Sequence, residues 1–226
     1  MISLANVTLC AMGSTQIEGN IKALKHSKRG IRFGAIKFIT SAVNYAATES
    51  GGEIDICPIA PIRDIDEWNY NIVFRLGDYI DTEFAILVHP DGYVVNPASW
   101  RPDFLKYDFI GAPWPLPQDK YSYRTPDGEI VRVGNSVSLR SKKILDLPSK
   151  LGLEWKSYFG NTNEDGFISC HNRRILQQHG CKFAPFGIAK YFSHETMLPE
   201  LEGIKPFAFH KHVGTNSIYP NYEQND

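Results

Sequence analysis

Residues 84–95, FAILVHPDGYVV, decide how the chain is read. The apolar run Phe84–Val88 has the pattern of a buried strand, stops at His89-Pro90-Asp91-Gly92, and resumes with Tyr93, Val94 and Val95. A proline followed by Asp-Gly makes a tight turn between two strands and needs no further purpose. The same four residues also put an imidazole and a carboxylate two positions apart just beyond a strand end. A turn stiffened by Pro90 could aim both at a divalent cation that bridges phosphates. On these residues alone both readings stand.

Upstream of that stretch, segments of strand and helix character alternate. Residues 3–11 are apolar and β-prone. Gly13-Ser14-Thr15 form a polar turn into a helical pattern over 17–28, with Ile17, Ile21 and Leu24 at helical spacing. Residues 32–39 and 53–57 are two further strands, the second with period-2 alternation. Asp64 or Asp66 is placed to cap a helix over 67–79 that carries Trp68, Ile72, Leu76 and Tyr79 on one face. The order predicts an α/β fold with parallel central strands, in which ligands sit at the C-terminal strand ends. His89 and Asp91 fall at such an end.

The second half differs. Residues 100–130 are rich in Pro, Tyr, Trp, Asp and Gly and suit a long ordered loop whose aromatics pack. Residues 131–141 suit a strand leading into a short helix, 163–180 a helix stopped by Gly180, 182–192 one or two strands, and 206–212 a last short strand. The tail after Tyr219 is expected to be loose.

Bulk properties narrow the function classes. With 226 residues the chain can bury a sizeable core, and a formal net charge of −1 leaves no global basic field for nucleic acid. Cys10, Cys57, Cys170 and Cys181 form no C-x-x-C pair, which favours free thiols in a reducing compartment. No basic region precedes an apolar leader and no apolar run is long enough to span a bilayer, so a cytosolic protein is expected.

Three further clusters could carry chemistry. In Asn163-Glu164-Asp165-Gly166, two adjacent carboxylates at a helix N-terminus either complement the helix dipole or supply a general base on a rigid mount. His210 and His212 flank Lys211 and share one strand face, as packing residues or as ligands. Lys22, Lys25, Lys28 and Arg29 make a basic helix face, either solvated or able to meet anionic head groups at a membrane-bound acceptor.

Five segments in this order carry a resemblance: YDFIGAPWPLP at 107–117, GNSVSLRS at 134–141, NEDGFISCHNRRILQQHG at 163–180, FAPFGIAKYFSHE at 183–195 and PFAFH at 206–210. Together they resemble a family of bacterial glycosyltransferase-like domains, many known only by a domain-of-unknown-function label, similar to the GT-A glycosyltransferases. The resemblance implies one GT-A-like domain over 1–226, with a nucleotide-binding half at 1–98, an acceptor-binding half at 99–215 and a loose tail at 216–226. It implies a nucleotide-sugar donor, a glycan or lipid-linked acceptor, and a divalent metal, Mn2+ or Mg2+, held by a D-x-D-type motif. His89-Pro90-Asp91 matches that motif with histidine at the first carboxylate position, and His210 matches the C-terminal histidine that completes the shell. Thr8 and Arg75 join His89 and Asp91 as expected donor contacts. Glu164 and Asp165 match the pair that holds and deprotonates the acceptor, with Asp165 as base. Trp114, Gly134 and Asn135 are expected on the acceptor side with Glu164.

The expected activity is therefore an inverting, hexosyltransferase-type, metal-assisted transfer in bacterial surface polysaccharide synthesis, in the cytoplasm at the inner membrane face. Two alternatives share the fold: a nucleotide- or glycan-binding module that no longer transfers, and a nucleotide-sugar hydrolase.

Overall fold

A computed structural model describes residues 1–134, 137–157 and 163–211. Strand β1 (Ile2–Met12) runs through the centre of a six-stranded sheet, and its continuously buried stretch Val7–Met12 is what a strand covered on both faces requires. Helix α1 (Ile17–Ser27) returns the chain to β2 (Ile31–Thr40), parallel to β1. Helix α2 (Val43–Ser50) leads to β3 (Asp55–Pro58), parallel to β2 at one sheet edge. Helix α3 (Ile65–Phe74) then crosses to β4 (Phe84–Leu87), parallel to β1 on its other side. This is the α/β arrangement expected from the sequence.

The chain next passes to a second sheet. β5 (Gly92–Val94), β8 (Ser193–His194) and β9 (Ala208–His210) form three strands in the order β5-β9-β8. Between visits to this sheet, β6 (Phe109–Ile110) and β7 (Ser138–Ser141) complete the large sheet, both antiparallel to their neighbours, in the order β3-β2-β1-β4-β7-β6. The result is a mixed central sheet flanked by helices. Trp100 and Phe104 pack edge-on against Phe207 and Phe192, so the aromatic-rich region after β5 fills the space behind the small sheet.

Several elements depart from expectation. The cap of α3 is Asp64, whose Oδ1 accepts from Glu67 N at 2.8 Å, and the helix starts two residues earlier than predicted. It ends at Phe74, and a 3-10 turn covers Leu76–Tyr79, where Gly77 lets the chain lie against Leu145 and Asp146. Residues 182–192, expected as strands, form helix α7 (Phe186–Phe192): Pro185 presets the start and Ala189 and Phe192 bury one helical stripe. Only Ser138–Ser141 of 131–141 is a strand within the large sheet; it is followed by α4 (Lys142–Lys150). The helix expected over 163–180 is split into α5 (Glu164–Gly166), a π-helical turn Phe167–His171, and α6 (Arg173–Gln178). Asn135, His212 and the tail lie outside the described residues.

Candidate functional site

FAILVHPDGYVV does make a tight turn at its centre, and that turn borders a cleft. His89 N donates to Gly92 O at 2.7 Å and Gly92 N returns a bond to His89 O at 3.1 Å. The hairpin goes no further, because β4 belongs to the large sheet and β5 to the small one. Helix α1 presses on it: a Cβ on Gly19 would lie 2.9 Å from Pro90 Cβ. Thus held, Pro90, His89 and Asp91 form one wall of a cleft of about 610 Å³.

The small sheet sets His210 beside Asp91. β5 and β9 are antiparallel with Gly92 opposite His210, and a Cβ on Gly92 would come within 2.5 Å of the imidazole Cδ2. Only glycine leaves the ring that space. β8 runs parallel to β9 with Ser193 beside Ala208 and His194 beside Phe209, a register that carries Glu195 alongside His210. The imidazole Nδ1 meets Glu195 Oε1 at 2.8 Å and Nε2 meets Asp91 Oδ1 at 3.2 Å. Burial works against the imidazolium, but its bonds to Asp91 and Glu195 outweigh that cost and raise the pKa to about 9. The same His210 contact holds the Asp91 carboxyl below its usual range. His89 packs its ring 5.3 Å from that of His210 and 5.6 Å from that of Trp68.

The same cleft is also lined by the adjacent carboxylates. Glu164 is 5% exposed, and its Oε1 accepts from Arg140 Nη2 at 2.9 Å. Arg140, itself buried in β7, also donates Nε to Ser138 Oγ and lies over the Phe109 ring. Asn69 of α3 accepts from Glu164 N at 3.1 Å, which fixes the backbone at the start of α5. Glu164 Oε2 has no hydrogen-bond partner among the described residues. Asp165 borders the same cleft with its carboxyl crowded by protein. Burial, then the Glu164 charge, pushes its pKa up to about 7, although Gly166 N donates to it at 2.7 Å. A carboxyl poised near neutrality can take a proton from a hydroxyl and still be ionised when it is needed.

The rest of the lining comes from parts the sequence reading did not assign to a site. Met12, Gly13, Ser14, Thr15 and Gln16 follow the C-terminal end of β1, and Ile62, Arg63, Asp64 and Ile65 lead into α3. Ser14 Oγ accepts from Ile62 N at 2.8 Å and Trp68 Nε1 donates to Met12 O at 2.8 Å, so the two loops are tied together. Gln16 holds φ of 49°, a left-handed conformation at the loop's end. The position rule for α/β sheets points to these loops, but their residue types are too ordinary to be noticed without the sheet order.

The expected site residues therefore divide. His89, Asp91, His210, Glu164 and Asp165 come together around one cleft. Thr8 does not join them: it is buried in mid-β1, paired through Oγ1 with Thr82 at 2.7 Å. Arg75 lies on a separate groove beyond α3, where its Nε pairs with Asp78 at 2.8 Å. Trp114 is buried rather than lining the cleft; its ring lies 4.9 Å from Tyr123, in a cluster with Val131 and Cys170 behind the π-helical turn. Gly134 exists for that ring, since a Cβ there would stand 2.2 Å from Trp114 Cη2. On the basic face of α1, Lys28 pairs with Glu53 at 2.8 Å and Lys25 donates to Glu49 O, so it is partly engaged within the protein.

Among the described residues no three His, Cys, Asp or Glu side chains converge as a metal-holding group. Of the expected set His89, Asp91 and His210, the last two are in contact and the His89 ring lies 5.3 Å from that of His210. Asp91 Oδ1 and His210 Nε2, 3.2 Å apart, are close to the roughly 3 Å edge that two ligands at about 2.1 Å make on an octahedral ion. Once Nε2 gives up its proton, that pair fits a cation completed by phosphate oxygens rather than a cage built by protein alone.

A mixed sheet with parallel strands at its centre, a cleft at their C-terminal ends and a small second sheet closing it define a GT-A-type fold. Residues 76–210 match a family described as proteins of unknown function (DUF5672), and the chain belongs to that family. No curated protein matches the sequence significantly. Among solved structures, the chain is similar to the galactosyltransferase LgtC in complex with donor and acceptor sugar analogues. That likeness has a TM-score of 0.57 at 17% identity and covers 91% of this chain and 86% of that one. It is also similar to mouse xyloside xylosyltransferase 1 in its apo form, with a TM-score of 0.53 at 10% identity, covering 95% and 99%. At these identities the likeness establishes the fold.

Proposed function

We propose that the chain is a glycosyltransferase that moves a sugar from a nucleotide-sugar donor to a hydroxyl of a glycan or lipid-linked acceptor. The observation that carries this reading is the convergence on one cleft of residues about 120 positions apart, Asp91 with His210, together with Glu164-Asp165. Residues 1–98 form the donor half and 99–215 the acceptor half. The fold shared with nucleotide-sugar enzymes and the resemblance of the five sequence segments support the donor class. The same resemblance supports a role in bacterial surface polysaccharide synthesis, in the cytoplasm at the inner membrane face. No helix among the described residues is long and apolar enough to cross a membrane.

The two pairs divide the work. The loop after β1 and the 89–91 turn receive the nucleotide, with the diphosphate facing Asp91 and His210. A Mn2+ or Mg2+ ion bound there would neutralise charge on the leaving diphosphate. Asp165 takes the proton of the acceptor hydroxyl as its oxygen bonds to the anomeric carbon. The bond from that carbon to the phosphate oxygen breaks, and its electron pair leaves with the nucleoside diphosphate. One displacement from the opposite side inverts the anomeric centre. Glu164, pinned by Arg140 and with Oε2 buried but unpaired among the described residues, holds the acceptor side of the cleft.

A panel of nucleotide sugars and acceptors, with and without manganese, tests this. Donor turnover is expected, abolished by Asp165→Asn while donor binding persists. A binding module has one observation in its favour, the clasp of His210 between two carboxylates; binding without turnover across the panel would establish it. Release of free sugar only, with acceptors present, would make the protein a nucleotide-sugar hydrolase.

A further inference from the structure

Glu195 is buried, 4% exposed, yet nothing in the proposed chemistry uses it directly. Burying a carboxylate is expensive unless it is paired, so its contacts show what keeps it there. Its contacts include His210 Nδ1 at 2.8 Å, which follows from the register of β8 and β9. On the other side of the ring the β5 register offers Gly92, which gives it space and no anchor. His210 therefore has one nitrogen gripped from behind while the other faces Asp91 across the cleft. A carboxylate on the far nitrogen is the arrangement that orients a histidine for work at its near nitrogen.

We propose that Glu195 is a positioning residue: its carboxylate fixes the His210 ring so that Nε2 is presented to Asp91 and the cleft. The inference rests on the transferase reading only for what the ring then meets, a cation with diphosphate oxygens. The Glu195 charge also lies close enough to Asp165 to help raise its pKa, so one buried group acts electrostatically on both pairs. The competing explanation is a buried pair that merely ties β8 to β9.

Long-range 1H–15N spectra of the labelled full chain separate the two, with the His210 signals identified by their loss in His210→Gln. Wild type is expected to show a single ring state with Nδ1 protonated and strongly hydrogen-bonded. Glu195→Ala should shift Nδ1 and release the ring into mixed states, and Glu195→Gln, which keeps the volume and one acceptor, should shift it less. Manganese binding to the protein alone, read by its paramagnetic signal, should weaken by about ten- to hundredfold in Glu195→Ala and by less in Glu195→Gln. An unchanged His210 spectrum in a folded Glu195→Ala overturns the proposal, as does manganese affinity within twofold of a wild type that binds it. If wild type binds no manganese, the cation part of the transferase reading falls and the ring spectrum alone decides on Glu195. If Glu195→Ala does not fold, a Glu195→Gln spectrum identical to wild type is the overturning result.

Discussion

At the scale of single residues, Asp165 carries the clearest cost. Its pKa is raised from the ordinary aspartate value to about 7 by burial and by Glu164, so the folded chain holds a proton that the unfolded chain has already released. Between about pH 4 and 7 the native state binds more protons, and stability falls as pH rises through that window, by an amount on the order of a few kcal/mol. Asp165→Asn removes this slope and keeps an oxygen for the Gly166 N–H. Urea denaturation at pH 5 and pH 8 is expected to show the variant gaining on wild type at the higher pH. Equal gaps at both would contradict the raised pKa. The same titration predicts that transfer increases with pH up to about 7 and then levels, because only the carboxylate accepts the acceptor's proton. Arg140 is the complementary case. Arg140→Met leaves Glu164 buried beside no cation and should cost about 3–5 kcal/mol, measured by equilibrium denaturation; Arg140→Met with Glu164→Gln should recover most of it.

At the scale of elements, residues 112–114 and 131–134 form a short ribbon: Trp114 N donates to Arg132 O at 2.9 Å and Gly134 N to Ala112 O at 3.2 Å. The ribbon folds the Trp114 ring over Gly134, leaving no space for a methyl group. Gly134→Ala should therefore destabilise by about 1–3 kcal/mol. In a Trp114→Ala background the penalty should largely vanish, a double-mutant cycle that denaturation resolves. This ribbon also shows where sequence reading ends. Trp114 and Gly134 were both legible as special, but as acceptor contacts, because a single sequence shows two unusual residues without showing that each is the reason for the other. The parallel core was legible because its strands and helices alternate with strong periodicity. Helix α7 was not: FAPFGIAKYF mixes aromatic and small residues without a decisive period, and Pro185 alone signals its start. Asp91, His210, Glu164 and Asp165 stood out by residue type. Glu195 and Arg140 depend on strand register, which periodicity does not reveal.

At the scale of the whole molecule, the cleft lies where the large and the small sheet meet. Between β4 and β5 the chain changes sheets in the four residues Val88–Asp91, and His210 returns to that turn at the end of β9. A ligand that touches the loop after β1 and the Asp91–His210 pair bridges the large sheet to the small one. Such a ligand should stabilise the fold as a unit rather than protect one loop. A ligand at about 100 times its dissociation constant adds about 2.7 kcal/mol, which for a chain of this size raises Tm by roughly 5–10 °C. A nucleoside diphosphate with manganese is expected to produce such a shift, and Asp91→Ala to remove most of it. The Thr8→Val change, at a buried position away from the cleft, should alter the starting Tm but leave the ligand-induced rise intact. Hydrogen exchange gives the spatial test: protection should increase together in residues 12–16 of the large sheet's loop and in β9 of the small sheet. Protection confined to 12–16 would mean that the nucleotide docks without engaging His210, and the two sheets would then have no common ligand.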